Sequence, residues 1–506
     1  MRGCKVKQTM KERRRARKEA RRALRERLKK GGLVAPAEPS TPNRMCEYKS
    51  VEEEQVARQE ALTEQMRVFH AQLPVLMARL SKIRDPRDPK KVKHLLTMLM
   101  LYGILMFVYQ MGSRREANQK MTRPQFIENL KQFFPDLDAI PHHDTLNRLL
   151  SHIEVEQIQA AQTDLIRHSI RNKKFVRYLI ENHYPIAVDG SQKLVREEQL
   201  SEEWLQRCLK KGEGEQAQYY VYVLEASLAF QNGMTIPLLT EFLCTTAGDS
   251  STDRQDCETK AFRRLTTRLK REFPRLPVLV LLDGLYPTGP MMSLCRKYNW
   301  DFMIVLQDKS LPSVWDEYNG LQRLLPENRL AMAWGERRQL FRWVNNIDYA
   351  YGDSSHQKRL TLHFVVCEEK WEEIDNTTGR SITKTSRHAW ISRVPLDQGN
   401  LHRRCNLGAR HRWGIESGFL VEKRHGYQYE HCFSFNWSAL RGYHYLMRIA
   451  HAINVLAQYS SALVKIVRDL GLRSFIHFIR ETMAGPWLKP EWVREQLQAP
   501  FQLRLE

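Results

Sequence analysis

Five consecutive apolar residues, Val278–Leu282 (VLVLL), stop abruptly at Asp283-Gly284. So short a run with no polar face suits a strand covered on both sides, which belongs in a sheet packed under helices. The neighbouring patterns agree. A basic amphipathic helix from about Asp253 to Glu272 closes at Pro274, and a helical pattern near Pro290–Tyr298 leads into a strand at Asp301–Leu306. Upstream, Tyr184–Val188 (YPIAV) ends in a second Asp-Gly, Asp189-Gly190. Tyr219–Phe230 and Met234–Leu243 read as strands joined at Gln231-Asn232-Gly233, where Asn-Gly is a hairpin signal. The predicted order is β-β-β-α-β-α-β, an α/β core with an aspartate at the end of two strands.

The core is flanked by other material, as a chain of 506 residues requires, since single cores stop growing well below that length. We divide it into a basic tail and linker (1–50), a helical N-terminal region (51–180), the first part of the core (181–312), a β-rich insertion (313–399), the core's final helical part (400–470) and a C-terminal helical segment (471–506). Within the helical region Leu95–Tyr109 carries no charge and is almost wholly apolar, but its 15 residues fall short of the roughly 20 that span a bilayer. It reads as a buried helix, and no membrane partner is expected. Arg123–Phe134 and Asp144–Ile153 are short amphipathic helices, started by Pro124 and by Asp144 as N-cap. Such a pair suits DNA docking and is also a common packing unit; Arg114 and Arg115 nearby are candidate backbone clamps.

The chain carries 80 Lys/Arg against 58 Asp/Glu, a net charge of +22, which argues for a polyanionic partner. Residues 1–30 hold 15 Lys/Arg and three Glu, net +12. That stretch shows no apolar stripe, so we expect it to stay unpacked, and residues 31–42 read as a linker. A basic start without an apolar core is unlike a secretory signal, and nine scattered cysteines without a C-x-x-C suit reduced thiols. A cytoplasmic protein is the expectation.

Aspartates at neighbouring strand ends could share divalent cations, and they repel one another without them. A lone Asp-Gly after a strand is ordinary turn chemistry; two in this strand order, followed by an acid on a helix, point to a metal site. The third acid is Glu416 in RHRWGIESGFLVEK, with Arg412 four residues before it and Lys423 seven after, on one helical face beside Phe419 and Leu420.

These residues resemble the DDE transposases of bacterial insertion sequences, whose RNase H-like catalytic fold is interrupted by an all-β insertion. The resemblance covers roughly residues 184–460. Arg412, Glu416 and Lys423 match the family's Y-x2-R-x3-E-x6-K signature, while its Tyr position is Ala409 here. Spacing alone gives a metal–carboxylate enzyme; the transposase reading comes from the resemblance. It implies an α/β RNase H-like core with a β-rich insertion, preceded by an all-α region, and a bacterial, nucleoid-associated protein. Asp189, Asp283 and Glu416 would hold two Mg2+ ions, with Mn2+ able to substitute, and Arg412 and Lys423 would contact DNA. The partners would be double-stranded DNA, as element ends and target, and a second copy in a homodimer on DNA. Core packing is the default reading for Trp343 and Trp390, and each is also a candidate to stack on an extruded base. Rival functions are an RNase H-like nuclease or resolvase without strand transfer, and a retired transposase that only binds DNA.

Overall fold

The computed structural model describes residues 10–34, 46–137, 139–211, 214–244 and 257–506. Asp253, Arg254 and Asp256, expected on the basic helix, lie outside the described residues, as do residues 1–9 of the tail and 35–42 of the linker. The fold is mixed α/β with a helical N-terminal region, and the chain divides into two compact units. The larger comprises Ser40–Pro277 and His411–Glu506; the smaller comprises Met1–Pro39 and Val278–Arg410.

After α1 (Met10–Lys30), which belongs to the smaller unit, the larger unit opens with six helices: α2 (Val51–Leu80), α3 (Leu96–Val108), α4 (Arg114–Met121), α5 (Pro124–Phe133), α6 (His143–Leu150) and α7 (Glu156–Arg171). α3 is the apolar segment; 11 of its 13 residues are buried. No helix among the described residues is long and apolar enough to cross a membrane. The cap of α6 differs from expectation. His142, not Asp144, is its N-cap, its ring accepting from the Asp144 N–H at 3.3 Å, while the Asp144 carboxylate is engaged by Arg114 at 3.4 Å.

Four antiparallel strands follow: β1 (Tyr184–Arg196), β2 (Leu205–Lys211), β3 (Gly214–Ala229) and β4 (Thr235–Leu243), with β3 pairing with each of the others. β2 escaped sequence reading because its LQRCLKK carries too few apolar residues to alternate. β1 does not end at Asp189 but runs seven residues further, so the first Asp-Gly is not a turn. Gly190 serves close approach instead: a Cβ there would lie 2.3 Å from the Tyr222 hydroxyl. Beyond it the β1–β3 register slips between Gln192 and Leu194, a bulge that turns Lys193 into the interior. The unit continues through α8 (Glu258–Glu272) and, after the smaller unit, is completed by α11 (Gly414–Arg424), α12 (Trp437–Gln458), α13 (Val464–Leu470), α14 (Leu472–Ala484) and α15 (Pro490–Gln498). α12 is its central post, buried along 19 of 22 residues against α2, α3 and α7.

In the smaller unit, β5 (Val278–Leu282), α9 (Gly289–Lys297) and β6 (Asp301–Val305) form a parallel crossover, β5 being buried throughout as its sequence demanded. α10 (Pro312–Leu324) opens the stretch 313–399, which was expected to be β-rich. β7 (Arg329–Trp334), β8 (Arg337–Tyr351), β9 (Lys358–Ile374) and β10 (Ser381–Ser392) form an antiparallel meander. Because β10 pairs with β6, the β-rich stretch extends the same sheet in the order β5-β6-β10-β9-β8-β7.

The basic tail is packed, contrary to expectation. Leu24 and Leu28 of α1 are buried with Ile374 of β9, and Ala20 and Leu33 flank them. Four residues separate the two leucines, so one turn of helix supplies an apolar spot too small to register as a stripe.

Candidate active site

Gly414 lets α11 start hard against β4, since a Cβ there would stand 2.7 Å from Thr235 Oγ1. Ile415, Phe419 and Glu422 are the buried residues of α11; Leu420, expected to help anchor it, is half exposed. A 3-10 turn, Ala409–Trp413, leads into the helix and carries Arg412, which is 6% exposed.

Arg412 joins the two predicted acids of this unit. Its Nη2 donates to Glu416 Oε1 at 2.8 Å, and its Nη1 stands 3.6 Å from Asp189 Oδ2. Both carboxylates reach solvent, Asp189 with 19% and Glu416 with 36% of its side chain exposed. Arg412 Nε and Nη1 are buried and donate no hydrogen bond among the described residues. The site is therefore two hard-oxygen carboxylates at the solvent border, held by a guanidinium with donor capacity to spare. Such donors fit a hard divalent cation such as Mg2+. The unspent N–H groups fit a phosphate oxygen.

Lys423 points along β1, its Nζ 3.1 Å from Glu430 Oε1 and 3.4 Å from the Gln192 carbonyl. Beneath α11 lies a network that sequence reading missed. Arg448 of α12 pairs with Glu225 of β3 and, at 2.8 Å, with Glu422 of α11. His451 Nδ1 lies 2.6 Å from Glu422, Tyr429 donates to Glu225 at 3.2 Å, and the bulged Lys193 donates to the Tyr429 carbonyl at 2.8 Å. Burial pushes the Glu225 carboxyl upward against the pull of Arg448. For Glu422 burial also raises it, but Arg448 and His451 outweigh this and hold it below its ordinary value. Burial brings the Lys193 ammonium down to about 8 despite Glu422 and Glu225. The available signal was His444, Arg448 and His451, ionisable residues spaced four and three apart on one face of a largely apolar helix.

Asp283 belongs to the smaller unit. It follows β5 directly, is partly exposed, and accepts from the Leu285 N–H at 2.9 Å. Trp343 and Trp390 are also there, but only 4% and 3% exposed. Trp390 stacks on His388, with the Arg410 guanidinium 5.6 Å from its ring centre. Their faces are spent on packing, the default reading for them, and none is open to stack on a base. Trp413 is the exposed ring beside the site: it is 63% exposed, and Arg412 lies 5.1 Å from its centroid.

Arg115 is exposed, whereas Arg114 is part-buried and ties α4 to Asp144 of α6. His142, His143 and Asp144 bring ligand atoms within 4.8 Å of one another. That group is also the α6 cap, and Arg114 already neutralises its carboxylate.

A family model described as DDE_Tnp_1-associated matches residues 77–166, from the end of α2 through most of α7. This supports a DDE-type transposase. The matched stretch contains none of Asp189, Asp283 and Glu416. No curated protein matches the chain.

Proposed function

We propose that the protein is a DNA transposase with an RNase H-like core that cleaves DNA at the ends of a mobile element and joins the freed 3′-OH to target DNA. The observation that carries this reading is the bridge from Arg412 to both Asp189 and Glu416. Asp283, at the end of β5, completes the acid set in this reading. The three carboxylates would hold Mg2+, or Mn2+ in its place, which supplies Lewis-acid activation of the attacking oxygen and stabilises the leaving one. Before any cation binds, Arg412 offsets the repulsion between Asp189 and Glu416. With a cation in place the guanidinium can turn its unspent donors to a non-bridging phosphate oxygen, holding the scissile group in line. Lys423 extends the positive edge along β1. Arg115 and the surplus of basic residues supply sequence-independent contact with the DNA backbone.

The test is incubation of the protein with Mg2+ and DNA carrying the inverted repeats that flank its gene. Cleavage at the repeat ends and joined products in a second DNA support transposition. Cleavage without joining supports the nuclease reading, and binding with neither supports a retired transposase.

A further inference from the structure

The docked tail helix has three distinct sides. Ala20, Leu24 and Leu28 recur every four residues and face Ile374. Arg27 pairs with Glu372 at 2.9 Å and donates to Ser381 Oγ at 3.2 Å, while Arg21 donates to Asn376 Oδ1 at 3.2 Å. Arg17 also lies on this side, its Cγ 3.8 Å from where a Cβ on Gly379 would stand. These three arginines border the leucines and belong to the contact with the β9–β10 hairpin.

Most of the remaining charges are sorted by sign, with Arg13, Arg14 and Lys30 outside the row. Arg15, Lys18, Arg22, Arg25 and Lys29 follow one another at alternating intervals of three and four residues. At about 100° per residue, that spacing lays them in a single row about 140° round the helix from the leucines. Glu12, Glu19 and Glu26 recur every seven residues on the adjoining flank, where Glu19 accepts from Arg15 at 3.1 Å near the row's N-terminal end. The cation row extends about 21 Å, at 1.5 Å per residue. A loose polyelectrolyte needs no such sorting, because its cations act by number.

We propose that α1, seated on the β9–β10 hairpin by Leu24 and Leu28, presents this row as a fixed ridge for the phosphate backbone of duplex DNA. The choice of duplex DNA rests on the transposase reading; the ridge itself rests on the docking and on the charge sorting. A straight row of like charges on a rigid helix suits the regular phosphate track of a duplex.

The experiment measures binding of a random-sequence duplex to the full chain in EDTA, across a range of salt, so that no cleavage enters. One variant removes three row cations (Lys18→Gln, Arg22→Gln, Lys29→Gln). Another removes three hairpin-facing cations (Arg17→Gln, Arg21→Gln, Arg27→Gln). The row variant is expected to lose about 2.7 from the log–log salt slope, at about 0.9 per phosphate contact, and the hairpin-facing variant less than about 1. The uncharged substitutions Leu24→Asn and Leu28→Asn, which release the helix, should erase that difference between the two charge variants. Equal slope losses in the docked protein would overturn the proposal, as would tighter binding of single-stranded RNA than of the duplex. Either result leaves the cleavage test of the proposed function standing, and loss of cleavage with the slope difference retained would count against that function alone.

Discussion

Asp189 stands directly across from Glu225 in the antiparallel register of β1 and β3. Residues so opposed share one face of the sheet, where like charges are unfavourable unless each has its own counter-charge. The structure supplies two. Glu225 is fully buried on Arg448, and Asp189, at the solvent border, lies near Arg412. The inner carboxylate therefore braces the site, and the outer one is open to chemistry.

Breaking the brace should be costly. Arg448→Met leaves Glu225 and Glu422 buried without their shared cation, and we expect a loss of about 3–5 kcal/mol in urea unfolding. Glu225→Gln removes one charge but keeps the shape, and should cost less. A loss below about 1 kcal/mol for Arg448→Met would show that the network bears little of the fold.

Stability should fall in mild acid. Burial, aided by Lys193 and Arg448, holds the His444 ring well below its ordinary 6.5. Burial, with Arg296 and Arg404, brings His363 down to about 4. Below pH 6.5 the unfolded chain takes up protons that these folded rings refuse, so stability present at neutral pH is lost as the pH falls toward 4. The urea midpoint should drop over that window, and His444→Gln should shallow the drop. Glu225, whose raised carboxyl takes up its proton early in the folded state, offsets part of the drop, so the contradicting result is a pH profile that His444→Gln leaves unchanged.

The tryptophans separate packing from exposure. Trp343→Ala and Trp390→Ala should each destabilise by about 3–5 kcal/mol, as large core truncations do. Trp413→Ala should leave the unfolding midpoint within about 0.5 kcal/mol of wild type, as surface changes do. A stable Trp390→Ala protein would reopen the stacking role for that ring.

Arg412→Lys keeps the charge and loses the planar fork that reaches Asp189 and Glu416 together. We expect cleavage to slow by about 100-fold, with DNA affinity changed by less than about threefold, since the bulk of phosphate contact lies elsewhere. Equal losses in binding and cleavage would make Arg412 an affinity residue only.

Much of this was legible in the residues. VLVLL could only be a covered strand, LLTMLMLYGILMFVY a buried helix, and Asn232-Gly233 a hairpin, because each depends on local chemistry. What escaped depended on partners distant in sequence. Asp189-Gly190 has the composition of a turn, but Tyr222 across the sheet makes it a close approach inside a strand. Leu24 and Leu28 look isolated until Ile374, some 350 residues away, covers them. Nothing local to Glu225 or Glu422 marks them as buried; Arg448, distant in sequence, gathers them. Trp343 and Trp390 show how far residue type goes: it allowed core packing, the default, and stacking on DNA alike, and their burial is what spends both rings on the core.

The central claim is that Asp189, Asp283 and Glu416 act as one metal-holding set. The measurement is strand cleavage of end-containing DNA in Mg2+ or Mn2+ by Asp189→Asn, Asp283→Asn and Glu416→Gln, alongside DNA binding in Ca2+. Each variant should lose about three orders of magnitude or more in rate, because the charge that holds the cation is gone. Each should bind DNA as wild type does, since phosphate contacts made elsewhere supply most of the affinity. Cleavage at the wild-type rate by any one of the three would contradict the account.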